Sequence, residues 1–268
     1  GPDIEDTLNS YMETANASDL FVVAGYGLSG EDQAEIKQEN ADVEFGYFTD
    51  TVIGDTPNAI RVFSQTTDIS TFELVSGEFP TKSNEVALAQ TMADQYKIGD
   101  TIRLNESGSS TLLKEHEFTI TGFVNSSEIL SNTIKGVSSA GSGDLSGFAI
   151  VPKDAFDSEV YTIARLRYPD LRKWKTTSRE YSDKVTELQQ ALEEKLADNG
   201  TARLDTLKTK ADEKISEGKE KITDAKAQLS DAEKKLADGK SEIEKNEKTL
   251  ADGQKEVDSN EATIASGD

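Results

Sequence analysis

The last quarter of the chain follows a seven-residue hydrophobic pattern. From Ala211 onward a large apolar residue recurs at every seventh position, and a small or short residue follows each one by three, with Lys and Glu in between. With the large positions named a and the small positions d, this is a heptad repeat, which predicts a left-handed coiled coil. The predicted helix-packing seam comprises Ile215, Gly218, Ile222, Ala225, Leu229, Ala232, Leu236, Gly239, Ile243, Asn246, Leu250, Gly253, Val257, Asn260 and Ile264.

The small d residues indicate a close helix–helix contact. Glycine inside a helix costs about 1 kcal/mol relative to alanine, so Gly218, Gly239 and Gly253 are best explained by two backbones that approach each other. A helix over residues 204–265 would be about 90 Å long, and a single apolar stripe cannot bury itself. We therefore expect the seam to pack against a returning coiled-coil arm or against a second copy of the chain.

Shorter patterns precede the coil and predict an α+β domain. Residues 3–15 form an amphipathic pattern that predicts a helix, a short polar helix is predicted up to Lys37, and another ends near Tyr96. A Gly/Ser-rich loop is predicted over residues 138–146. Strands are predicted at residues 20–23, 43–48, 60–63, 72–75, 85–89, 98–104, 118–124, 148–151 and 160–168, of which 98–104 and 118–124 are typical of a hairpin or a small barrel.

A further amphipathic helix connects the two regions. Thr177 with Glu180 three residues later is a capping-box pattern, and Asn199-Gly200 favours a break before the coil begins. We expect three parts, an α+β core at 3–176, a connecting helix at 177–203 and the coiled-coil helix at 204–268. The apolar face of the connecting helix comprises Tyr181, Val185, Leu188, Leu192 and Leu196.

The amino-acid composition limits the kinds of partner and ligand that the chain is expected to bind. The formal net charge is −22 and no face is predicted to be basic, which argues against nucleic acid as a partner. The chain has no cysteine, so it forms no disulfide and no thiolate metal site. No run of about 18 apolar residues predicts a membrane span.

Two motifs suggest chemistry, and neither predicts an active site. Gly25, Gly27 and Gly30 match the dinucleotide pattern G-x-G-x-x-G after a strand. The acidic residue Asp32 at the start of the following helix would repel a pyrophosphate, and Ser29 capping that helix explains the same residues. His116 is the only histidine, and its polar surroundings predict a solvent-exposed side chain. We therefore expect no enzyme, no catalytic residue, no cofactor and no metal site.

Several stretches in order resemble the extracellular domain of an FtsX-like (MacB-type) ABC-transporter permease, in the Gram-positive branch that carries a long coiled-coil insertion. They are Asp19-Leu20-Phe21-Val22-Val23 with Gly27-Leu28-Ser29 and Asp32, Gly77-Glu78-Phe79-Pro80 with Asn84-Glu85-Val86-Ala87-Leu88, Ile98-Gly99-Asp100-Thr101-Ile102, and Thr119 to Val124. The resemblance implies a mixed-sheet core of the MacB-like periplasmic type at the extracellular face of the cell membrane. Residues 3–15 would continue the first membrane helix outward.

The resemblance also implies a mechanism and partners. ATP would bind only to a separate cytoplasmic ATPase subunit, and membrane helices would couple its hydrolysis to this non-catalytic domain for export or mechanotransmission. A cell-wall component or a peptide would be a further partner. Because an insertion must return to its domain, we expect Asp268 to lie before the returning arm, which would pack antiparallel. The alternative function is a wall-attached or secreted coiled-coil adhesin or scaffold protein.

Overall fold

The structure is a computed structural model that describes residues 15–24, 27–106, 111–127 and 145–267. The predicted helix at 3–15 lies outside these residues except for its last position, and so does most of the predicted loop at 138–146. The chain forms two compact units, Gly1–Leu204 and Asp205–Asp268. Within the described residues no helix is long and apolar enough to cross a membrane.

The first unit contains a mixed sheet that closes on itself. Its strands are β3 (Phe48–Ile53), β4 (Ala59–Ser64), β5 (Glu73–Gly77), β6 (Glu85–Ala89), β7 (Thr101–Glu106), β8 (Glu117–Asn125) and β9 (Leu145–Val151). They pair in the order β5-β8-β6-β9-β4-β3-β7, and β7 pairs again with β8. The long strand β8 pairs with three other strands, since its first residues pair with β7 and its later residues pair with β6 and β5. Six strands therefore form a closed ring around an apolar core, with β5 as an exposed edge strand outside it.

A second sheet of three antiparallel strands lies against the first. It has the order β1 (Leu20–Val23), β10 (Ile163–Arg167), β2 (Asp42–Gly46). The central strand β10 is buried on both faces. Ile163 belongs to the core of the closed sheet, while Ala164 and Leu166 belong to a second apolar cluster. This alternation follows from the two-residue period of a strand.

Two helices cover the outer face of the three-stranded sheet. They are α1 (Gly30–Lys37) and the first turns of α2 (Arg179–Ser266). Ile36 of α1 and Leu192 of α2 are buried in the second cluster. The predicted apolar face of α2 is confirmed, because its other members pack against the same cluster, namely Tyr181, Val185, Leu188 and Leu196.

Several predictions about local structure were wrong. Helix α2 passes through Asn199-Gly200 without interruption, and the Asn199 side chain donates a hydrogen bond to Oε2 of Glu35 on α1 at 3.1 Å. The cap of α2 is Ser178 rather than Thr177, because its hydroxyl accepts the Tyr181 amide at 3.2 Å. The helix predicted to end near Tyr96 is only a short 3-10 turn, Gln90–Met92. The predicted strand at 43–48 is divided at Tyr47 between β2 and β3.

Candidate functional site: the helical seam and the Asp19 joint

The predicted seam lies on a single uninterrupted helix. All its members are in α2, where residues three and four apart share a face. The eight large members are exposed by between 50% (Val257) and 77% (Ile264). At Gly218, Gly239 and Gly253, an added Cβ would meet no heavy atom within 4 Å apart from the adjacent backbone of the helix itself. The contact that the seam makes with another helix therefore stays a prediction.

A second feature, which the sequence did not predict, is a polar cluster that we name the Asp19 joint. It consists of Asp19, Tyr168, Arg172 and Tyr181. Asp19 lies directly before β1, Tyr168 directly after β10, Arg172 in the 3-10 helix Pro169–Lys173, and Tyr181 in the first turn of α2. The joint connects the start of the domain's first strand to the start of its longest helix.

The Asp19 carboxylate accepts hydrogen bonds from three different segments. Oδ1 accepts the Tyr181 hydroxyl at 2.6 Å and also pairs with Nη2 of Arg172, and Oδ2 accepts the Tyr168 amide at 2.7 Å. The Asp19 side chain is only 1% exposed, whereas that of Arg172 is 32% exposed. Charge-assisted hydrogen bonds of this kind are about twice as strong as neutral ones. The joint therefore attaches the first turn of α2 to the residue that directly precedes β1.

The two tyrosines of the joint are held in their neutral form. Burial raises the pKa of Tyr181, and the charge and hydrogen bond of Asp19 raise it further. Burial also raises the pKa of Tyr168, with smaller contributions from the charges of Glu39 and Asp19. Both phenols therefore keep their protons at neutral pH, and the Tyr181 hydroxyl remains a hydrogen-bond donor to Asp19.

The glycine motif has a structural explanation. Gly27 has φ +87°, and a Cβ there would lie 2.1 Å from Cγ2 of Val160. The predicted cap of α1 at Ser29 is confirmed, because Ser29 and Asp32 exchange hydrogen bonds at 2.8 and 3.0 Å. The neighbour of β1 is the antiparallel strand β10, whereas a dinucleotide fold requires a parallel one.

The His116 side chain is less exposed to solvent than predicted. Its side chain is 34% exposed, and Nε2 lies 3.7 Å from Oε2 of the buried Glu106. The Glu106 oxygens also accept the Thr49 hydroxyl and the amides of Leu112 and Leu113 at 2.8 to 3.2 Å. Glu106 therefore connects the segment at Leu112 and Leu113 to Thr49 in β3. Across the described ranges, no group of three His, Asp or Glu side chains could hold a metal ion.

Comparison with known proteins decides the family. The family model described as the MacB-like periplasmic core domain matches residues 4–196. The chain belongs to this family. The MacB-like resemblance and the α+β fold with a mixed sheet are thereby confirmed. A MacB-like domain is an extracellular, non-catalytic part of an ABC-type transporter permease.

The comparisons with individual proteins add little to this MacB-like assignment. One similar solved structure is the extracellular domain of the noncanonic ABC-type transporter YknZ from Gram-positive bacteria. Its TM-score is 0.33, with 10% sequence identity over 62% of this chain and 86% of that chain. No curated protein matches the chain.

Proposed function

We propose that this MacB-like domain transmits movement from the membrane helices of an ABC permease to its extracellular coil, and thus couples ATP hydrolysis on a cytoplasmic subunit to export or to a partner outside the cell. The observation that carries this proposal is the Asp19 joint. It ties α2 to the residue before β1, so a displacement of the segment leading into β1 would reach α2 through the hydrogen bond that the Tyr181 hydroxyl donates to the buried Asp19 carboxylate.

The apolar contacts of α2 support the same role. Tyr181, Val185 and Leu188 pack on the second cluster, which includes Leu20 at the beginning of β1. Farther along, Lys195 pairs with Glu39 at 3.3 Å. Close-packed interiors transmit strain because they have few voids to absorb it. The first turns of α2 would therefore move with the three-stranded sheet.

The experiment compares two carboxylate variants in the membrane-embedded permease with its ATPase subunit. Asp19→Asn removes the charge of the joint, and Asp50→Asn is the matched control. Asp50 is also a buried carboxylate, 4% exposed, and it pairs with Arg61 on the neighbouring strand at 2.7 Å. Hydrogen exchange in the first turns of α2 is measured with and without ATP.

We expect ATP to change amide protection at the start of α2 in the wild type and in Asp50→Asn. In Asp19→Asn the change should be lost while ATP hydrolysis continues. Equal responses in all three proteins, or no response to ATP in the wild type, would contradict the coupling role.

A further inference from the structure

The exposed apolar stripe of α2 is large for a monomer surface. Eight large side chains, each at least half exposed, recur along the face defined by the seam. Extended apolar patches of this kind mark interaction sites on proteins. The charged residues on the two edges of the stripe show what covers it.

These edges are basic in their first half and acidic in their second half. The edge positions are e, directly after each small d residue, and g, directly before each large a residue. From 212 to 240 they carry six Lys, one Asp and one Glu, and from 242 to 263 they carry four Glu and no Lys. The charged members are Asp212, Lys214, Lys219, Lys221, Lys226, Glu233, Lys235, Lys240, Glu242, Glu247, Glu256 and Glu261.

A parallel pair of these helices would be held apart by like charges. In a parallel, in-register coil each g residue faces the e residue five positions later on the other helix. All five charged pairs that result are like-charged, namely Lys214–Lys219, Lys221–Lys226, Lys235–Lys240, Glu242–Glu247 and Glu256–Glu261. Edge charges determine the orientation of a coiled coil, so they exclude this arrangement.

An antiparallel pair matches the same charges. When one helix is reversed, e faces e and g faces g. With Leu236 level with Gly239 of the other copy, four opposite-charged pairs form, namely Lys221–Glu256, Lys226–Glu247, Glu233–Lys240 and Lys235–Glu242. One like-charged pair, Asp212–Glu261, lies near the ends. If the register shifts by one heptad, Lys240 faces Lys240 of the other copy, or Glu233 faces Glu233, depending on the direction of the shift.

The large and small residues favour the same arrangement. In a parallel coil, layers of two large residues alternate with layers of two small ones, which leaves voids at the glycines. In the antiparallel register each large a residue faces a small d residue, so all layers have similar volume. The eight layers are Ile215–Asn260, Ile222–Gly253, Leu229–Asn246, Leu236–Gly239, Ile243–Ala232, Leu250–Ala225, Val257–Gly218 and Ile264–Ala211.

We infer that the stripe is covered by a second copy of the same helix, antiparallel, with Leu236 of one copy level with Gly239 of the other. The overlap from Ala211 to Ile264 is about 80 Å long, well beyond the three to four heptads that sustain a coiled coil. The self-complementary charge pattern is what identifies the partner as another copy. This pairing does not depend on transport, and the chain alone suffices to test it.

The first test uses cysteine cross-linking, since the chain contains no cysteine. Ile222→Cys and Gly253→Cys chains, distinguished by a mass tag, are mixed and oxidised. The antiparallel register predicts a mixed disulfide. Disulfides between identical chains, or a mixture that stays monomeric at high concentration, would overturn the proposal. In the control, Asn260→Cys replaces Gly253→Cys one heptad farther along, and Ile222→Cys should not cross-link to it.

The second test reverses charges and leaves the apolar stripe intact. Lys221→Glu would face Glu256 in the antiparallel dimer, so we expect the Kd from sedimentation equilibrium at low salt to rise about tenfold. Adding Glu256→Lys should restore it. Lys234→Glu, the same change on the outer face, should leave Kd nearly unchanged. In a parallel dimer Lys221→Glu would relieve repulsion from Lys226, so tighter association would overturn the antiparallel assignment, as would failure of Glu256→Lys to restore binding.

Discussion

At the scale of single residues, Asp19 shows how one buried carboxylate organises distant parts of a domain. It is 1% exposed, and its partners come from three segments that begin about 150 residues later. A buried charge is stable only when it is paired and hydrogen-bonded. Removing any one partner therefore weakens both the pairing of Asp19 and the attachment of α2.

Two Tyr→Phe substitutions in this joint should affect the stability to different extents. Tyr181→Phe removes a hydrogen bond to a charged acceptor, so we expect the free energy of unfolding to fall by about 2 kcal/mol. Tyr168→Phe should leave the stability within about 1 kcal/mol of the wild type or raise it, because within the described residues the buried Tyr168 hydroxyl has no hydrogen-bond partner. Urea unfolding at pH 7 measures both. Equal losses in the two variants would contradict the pairing described for Asp19.

The cost of Tyr181→Phe should depend on pH. Burial and Asp19 raise the folded-state pKa of Tyr181 above its ordinary value near 10. The associated stability is fully present below about pH 10 and is lost as the pH rises further, because only the unfolded state then releases the proton. We expect the stability gap between wild type and Tyr181→Phe to stay constant up to about pH 10 and to narrow above it. A gap that stays constant above that pH in urea titrations would show that Tyr181 titrates normally.

Residues that interact with near neighbours could be predicted from the sequence, and those with distant partners could not. The Ser29–Asp32 capping box spans three residues, so its pattern is visible in the chain. Nothing around Asp19 identifies Arg172 or Tyr181 as its partners. Gly27 shows the same limit, since its requirement arises from Val160, which approaches it from the other end of the domain.

At the scale of elements, the heptad pattern correctly predicted a long helix, whereas the local sequence signal for a helix end was misleading. Asn199-Gly200 reads as a helix end, yet α2 continues through it. Glycine in a helix costs only about 1 kcal/mol, which the neighbouring contacts offset. The Asn199 bond to Glu35 and the Lys195 pair with Glu39 hold this part of α2 on the first unit. Tertiary contacts of this kind are invisible in a local pattern.

The glycines of the seam give a prediction at this scale. In the antiparallel register Gly239 faces Leu236 of the other copy, so Gly239→Leu should over-pack two symmetric layers at a cost of about 1 to 3 kcal/mol each. Circular dichroism of the monomer should show no loss of helix, since leucine is a better helix former than glycine. Ser241→Leu on the outer face is the control. Sedimentation that shows unchanged association for Gly239→Leu would contradict close packing.

At the scale of the whole molecule, the pairing of β7 with β8 was predictable, and the complete strand order of the closed sheet was not. The alternating residues of 98–104 and 118–124 predicted two adjacent strands, which pair as expected. The parallel pairs β4–β9 and β6–β8 join strands that are far apart in sequence. Such pairings depend on the packing of the complete core, which no single stretch of sequence specifies. The match to the MacB-like family model therefore supplies information about the overall fold that local sequence patterns do not contain.

The length of the coil gives the last prediction, in the membrane-embedded permease with its ATPase subunit. Deleting the two heptads from Ser230 to Ile243 shortens the helix by about 21 Å and keeps the apolar stripe on one face. Deleting the ten residues from Ser230 to Gly239 instead rotates the two parts of the stripe by roughly 80°. If the coil carries movement outward, ATP hydrolysis should continue in both variants while export or resistance falls, more strongly in the ten-residue deletion because its seam is also broken. Unchanged hydrolysis and unchanged phenotype in both would refute a mechanical role, whereas a defect confined to the ten-residue deletion would show that the seam matters and its length does not.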